Sequence, residues 1–121
     1  MMKNKIHALA ILLLSASTGG CGSAPNSSSN GVDPNVTVLA TYSSISTNIL
    51  QVSCVHCHGS KGGLSFETHA GTLAAVTTGS PSQSRLYTAV SSGAMPKTGN
   101  LLSTAQIQAI SDWITAGAAD N

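Results

Sequence analysis

Large aromatic side chains are nearly missing from this chain of 121 residues, which has one Trp, two Tyr and one Phe: Trp113, Tyr42, Tyr87 and Phe66. A small domain with so few bulky groups buries little apolar area, so something besides side chains is expected to fill part of its core. Charge is also sparse, at 7% of residues, with a formal net charge of +1. No basic stripe or cluster occurs, which excludes nucleic-acid recognition through phosphate contacts. No long run of one sign occurs to steer a partner from a distance. Cysteine is limited to Cys21, Cys54 and Cys57, too few for a disulfide framework once two of them share one motif. The longest apolar run, Ile6–Leu14 broken by His7, is too short to span a bilayer as a mature helix. No strand-like alternation appears, so the expected fold is all-α.

What is present centres on Cys54-Val55-His56-Cys57-His58. This is C-x-x-C-H, the attachment sequence for a c-type haem. Two thiols three residues apart on a helix share a face and can reach the two vinyl groups of one porphyrin. The adjoining His58 can swing beneath the ring as proximal ligand to the iron. His56 occupies the variable interior of the motif and is expected to face solvent. A buried macrocycle held by two covalent bonds would also supply the staple and core volume that the composition lacks. Zinc bound by Cys54, Cys57 and His58 or His69 would need a fourth well-placed group, and no second cysteine pair exists. A thioredoxin-like motif would need a strand before the cysteines, and none is seen.

The N-terminus reads as an export sequence. Lys3 and Lys5 precede the apolar run, and small and polar residues follow, the layout of a secretory signal over residues 1–20. Thr18-Gly19-Gly20-Cys21 resembles the lipobox of bacterial lipoproteins, with Thr18 where leucine is usual. The resemblance implies lipidation of Cys21 and a membrane anchor facing the periplasm, and Gly22 favours the outer membrane. The alternative is ordinary cleavage nearby, leaving Cys21 as a spare thiol. Residues 21–36 are rich in Gly, Ser, Asn and Pro and are expected to form a flexible tether to a domain over 37–121. Beyond the signal the charges are Lys61, Arg85 and Lys97 against Asp33, Glu67, Asp112 and Asp120.

Within the domain, periodicity predicts a first helix over residues 36–53 with Val38, Tyr42, Ile45, Ile49 and Val52 on one face. It is expected to break and re-form as a short turn carrying the cysteines, ended by Gly59. A second helix is expected over 67–76. Ser80-Pro81-Ser82-Gln83 reads as a capped start for a third, and Ser103-Thr104-Ala105-Gln106 as a capping box for the last, with Leu102 and Ile107 placed for a hydrophobic staple. The last helix should turn Ile107, Ile110, Trp113 and Ile114 toward the core and stop at Gly117.

After removal of the signal, Met95 is the remaining methionine, in the non-helical stretch Gly93-Ala94-Met95-Pro96. Its thioether is the candidate distal ligand, and Met/His ligation favours ferrous iron and raises the potential. The alternatives are a Met95 that only packs in its loop and ligation by His69, which would lower the potential. Lys61, Arg85 or Lys97 could meet haem propionates or stay solvated.

Cys54–His58, Gly63-Leu64-Ser65-Phe66, Ser84-Arg85-Leu86-Tyr87, Met95-Pro96 and Trp113-Ile114-Thr115-Ala116-Gly117-Ala118 together resemble a monohaem class I cytochrome c, more narrowly the planctomycete-type cytochrome c domain. The resemblance spans about Ile49–Ala118. It implies four to five helices around one covalent haem c, thioether bonds at Cys54 and Cys57, and iron held by His58 and Met95. Two features depart from the family pattern: Lys97 stands where a second proline often follows, and the glycine–aromatic pair of the first helix is missing. The implied role is electron transfer between a redox donor and a redox acceptor protein by a monomer with no catalytic residues. The alternative is an open-site haem with a peroxidase-like or gas-sensing role.

Overall fold

The computed structural model describes residues 31–59 and 63–121. The expected signal sequence, Cys21, Lys61 and the part of the expected tether before residue 31 lie outside the described residues. Among the described residues all regular structure is helical, with no strand, and no helix is long and apolar enough to cross a membrane.

The first helix, α1, occupies residues 42–58. It is α-helical over Tyr42–Ile45, π-helical over Ser46–Cys54 and α-helical again over Val55–His58. It starts six residues later than periodicity predicts. The Thr41 hydroxyl caps it by accepting from the Ser44 amide, and the Ser44 hydroxyl accepts from the Leu39 amide at 3.0 Å. Such Ser and Thr side chains offer the backbone an alternative to helix, which keeps residues 36–41 outside it. The expected break before the cysteines is also absent. The wide π turns run straight through Cys54, and the Val55 amide bonds to the Leu50 carbonyl. This wider winding alters the buried face: Ile45, Ile49 and Leu50 are fully buried, whereas Val52 is 39% exposed. An α-periodic reading cannot anticipate that exchange.

Helix α2, His69–Leu73, is shorter than expected and is capped by the Thr68 side chain. A 3₁₀ turn at Pro81–Gln83 follows. Pro81 takes the first position as expected, but Ser80 makes no side-chain cap. Buried Ser84 organises this corner instead. Its hydroxyl donates toward the Thr77 and Ser80 carbonyls, at 3.2 and 2.9 Å, and accepts from the Thr77 amide at 2.9 Å. Helix α3 is Arg85–Ser91, and Gly93 lies just beyond it at φ 73°.

Helix α4, Thr104–Thr115, carries the expected capping box in full. Leu102 and Ile107 both pack on the core cluster. Ile110, Trp113 and Ile114 are essentially fully buried, each stabilising the fold by roughly 1.5–3 kcal/mol. The Trp113 indole N–H donates to the Ala119 carbonyl at 2.8 Å, so the largest core residue also fixes the chain after Gly117, whose φ is 105°.

The expected tether ends sooner than its composition implies. Val32 is fully buried, and the Gln106 side-chain amide donates to the Asp33 and Val36 carbonyls at 2.7 and 3.1 Å. Residues 31–36 are therefore part of the packed domain, because one apolar side chain and two backbone acceptors find partners on α4 and the loop before it.

Candidate functional site

The C-terminal part of α1 presents Cys54, Cys57 and His58 to a cavity of about 340 Å³ whose lining is mostly apolar. Leu64 and Phe66 close one side, Leu86, Ala89 and Val90 of α3 contribute another, and Met95 and Pro96 come from the loop after α3. His58 is half-buried and His56 is exposed.

Several contacts hold the walls. The Phe66 ring meets His58 edge-on, with centroids 5.6 Å apart at 87°. The Phe66 amide donates to the His58 carbonyl at 3.2 Å, and the Gln51 side chain donates to the Phe66 carbonyl at 3.3 Å. The backbone of Phe66 is thus tied to α1 through both its amide and its carbonyl. Across the cavity, the Met95 amide donates to the Ala89 carbonyl at 3.0 Å, anchoring the loop to α3. Burial pushes the Cys54 thiol up to about 11, with the neighbouring Cys57 adding to the shift.

His69, the rival ligand, is committed elsewhere. Its Nε2 lies 2.8 Å from the Ala118 carbonyl, its ring packs edge-on to Tyr42 at 4.8 Å, and Nδ1 lies 4.0 Å from Asp120. It does not line the cavity. Among the described residues no three His, Cys, Asp or Glu side chains gather as a metal site. Arg85 and Lys97, both exposed, do line the cavity, and among the described residues no carboxylate does. Of the lining residues, Ala75 and Ala89 carried no chemical signal in the sequence, since such small residues are informative only once their neighbours are known.

A helical domain wrapped around an apolar cavity that bears the C-x-x-C-H turn is a class I cytochrome c. Residues 46–114 match the family described as cytochrome c oxidase, cbb3-type, subunit III, and the chain belongs to that family. No curated protein and no solved structure matches the chain. Membership implies covalently bound haem c and haem-based electron transfer. The cavity fits that group: its wall is apolar, thiols and an imidazole sit at one end, a thioether sits on another wall, and two cations are available for carboxylates.

Proposed function

We propose that this protein is a membrane-tethered electron carrier whose single haem c is joined to Cys54 and Cys57 and held at the iron by His58 and Met95. One observation carries the assignment: residues far apart in sequence converge on the same apolar cavity, with His69 turned away. The bound group supplies a one-electron couple. The chain's own residues hold and shield it. His58, at the end of α1, takes its orientation from Phe66, and the Met95 thioether comes from a loop fixed by its own amide. Leu86, Val90 and Phe66 exclude water, which limits the reorganisation that accompanies electron transfer. Arg85 and Lys97 are the cations placed to balance propionate charge.

The planctomycete-type resemblance supports the same reading through the Met95-Pro96 pair and the Trp113–Ala118 ending. Cys21 is proposed as the lipid attachment point, with the residues that follow spanning to the domain and Gly22 favouring the outer membrane. The partners are a redox donor and a redox acceptor meeting a monomer at the haem edge.

The deciding experiment is a spectrum and redox titration of holoprotein from a maturation-competent host. His/Met ligation gives a low-spin spectrum with a weak far-red band in the oxidised state. High-spin features with immediate carbon monoxide binding would refute it in favour of an open-site haem. His58→Ala is expected to abolish stable holoprotein. Cys21→Ser is expected to release the protein from the membrane fraction, and unchanged fractionation would overturn the lipid assignment.

A further inference from the structure

The loop that carries Met95 is weakly held on its downstream side. Among the described residues, the stretch 96–101 takes part in one hydrogen bond, from the Asn100 side-chain amide to the Val32 carbonyl at 3.4 Å. Most of that stretch is exposed. The Leu101 side chain lies beside Gly93, 3.6 Å from where a Cβ there would sit, and the stretch is also supported by backbone packing. Gly31 lies so close that a Cβ there would fall 2.8 Å from the Asn100 nitrogen and 3.1 Å from the Gly99 Cα. The hydrogen bond and the backbone packing both come from residues 31–36, which precede the family-matched segment 46–114. That strap is in turn fastened by Val32, fully buried in the core, and by Gln106, 1% exposed, whose amide donates to the Asp33 and Val36 carbonyls.

We infer that residues 31–36 form a clamp on the Met95 loop, and that Gln106 is a positioning residue that holds the distal thioether in place through it. This rests on the reading of Met95 as an iron ligand. The chemistry is specific. The Gln106 carbonyl oxygen accepts from the Ser103 amide at 3.0 Å and completes the α4 capping box, while its NH₂ alone fastens the strap. One side chain thus joins the helix start to the strap, and the strap closes over the loop four residues beyond Met95. The Gln106 amide is itself buried, so losing its bonds to the strap removes the side chain's hold on residues 33 and 36, although the Asp33 carbonyl also accepts from the Val36 amide at 3.2 Å. The clamp opposes the excursion that would carry Met95 away from the cavity, and so sets how often that face is open to a small exogenous ligand.

Gln106→Glu tests this with little change of shape. The carboxylate retains the acceptor for Ser103 and is favourable in the first turn of a helix, but it loses both donors to the strap. Carbon monoxide binding to the ferrous holoprotein, followed by stopped flow, is expected to accelerate roughly tenfold from the loss of the two hydrogen bonds to the strap. Ile110→Val provides the control: it destabilises the core without touching the strap and should leave the rate near wild type. Should Gln106→Glu yield no holoprotein, Val32→Ala loosens the strap at its other fastening and is expected to accelerate binding likewise. An unchanged rate in the strap variant, or equal acceleration in Ile110→Val, would overturn the clamp. Wild-type protein without the far-red band that binds carbon monoxide within the mixing time would overturn the ligation reading, and the clamp with it; that failure is told apart because the wild type itself shows it.

Discussion

Gly71→Ala should destabilise this protein, although alanine is normally the better residue within a helix. Gly71 belongs to α2, and replacing a helical glycine with alanine ordinarily gains roughly 0.5–1 kcal/mol. Here an added Cβ would lie 2.6 Å from the Ser65 carbonyl oxygen, 3.1 Å from the Ser65 Cβ and 3.2 Å from its carbonyl carbon. Two of these atoms are backbone and none is the free end of a flexible side chain, so the overlap cannot be relieved by a rotamer change. Either α2 or the Leu64–Phe66 loop must shift by several tenths of an ångström, and forced repacking of this kind costs about 1–3 kcal/mol. The helix gain subtracts from that cost and leaves, at the middle of the two ranges, a net loss of about 1 kcal/mol, which lowers the melting temperature of a domain this size by about 4–8 °C. The displacement also reaches the site, because Leu64 and Phe66 line the cavity and Phe66 rests against His58. Guanidinium unfolding of holoprotein, read by the emission of the single tryptophan, gives the stability, and the oxidised spectrum reports the iron environment. A variant as stable as wild type or more so would refute the close contact between α2 and that loop.

Other outcomes can be checked separately. Met95→His should keep covalent haem and lower the midpoint potential, since nitrogen replaces a sulfur that favours ferrous iron; an unchanged potential in a redox titration would remove Met95 from the ligand set. Ser103→Ala deletes the side chain that accepts from the Gln106 amide and should cost about 1 kcal/mol in urea unfolding. In the haem-free protein Cys54 titrates near 11 rather than 9.0, because burial disfavours its thiolate. The folded state then holds a proton that the unfolded chain has released, so stability should fall as pH rises from 9 to 11. Unfolding curves that do not change across that window would show that the thiol is not buried.

The helical class, the capping box at Ser103 and the inward face of α4 were legible in the sequence because each depends on neighbours within a turn or two. The C-x-x-C-H turn was legible for the same reason. The first helix was not: the π winding over Ser46–Cys54 buries Leu50 and exposes Val52, and no local rule fixes that choice. Residues 31–36 look like linker by composition, and only contact with α4 makes Val32 a core residue.

What the sequence determined alone is therefore the local chemistry: a paired-thiol turn with its histidine, a methionine beside proline, and helices poor in bulky side chains. What tertiary structure decided is convergence. It set Met95 on the cavity that holds His58, turned His69 onto the Ala118 carbonyl, and tied the residue 31–36 strap to the Met95 loop. Such pairings join positions tens of residues apart, and the packing of the whole chain selects them, whereas a motif is fixed by covalent spacing.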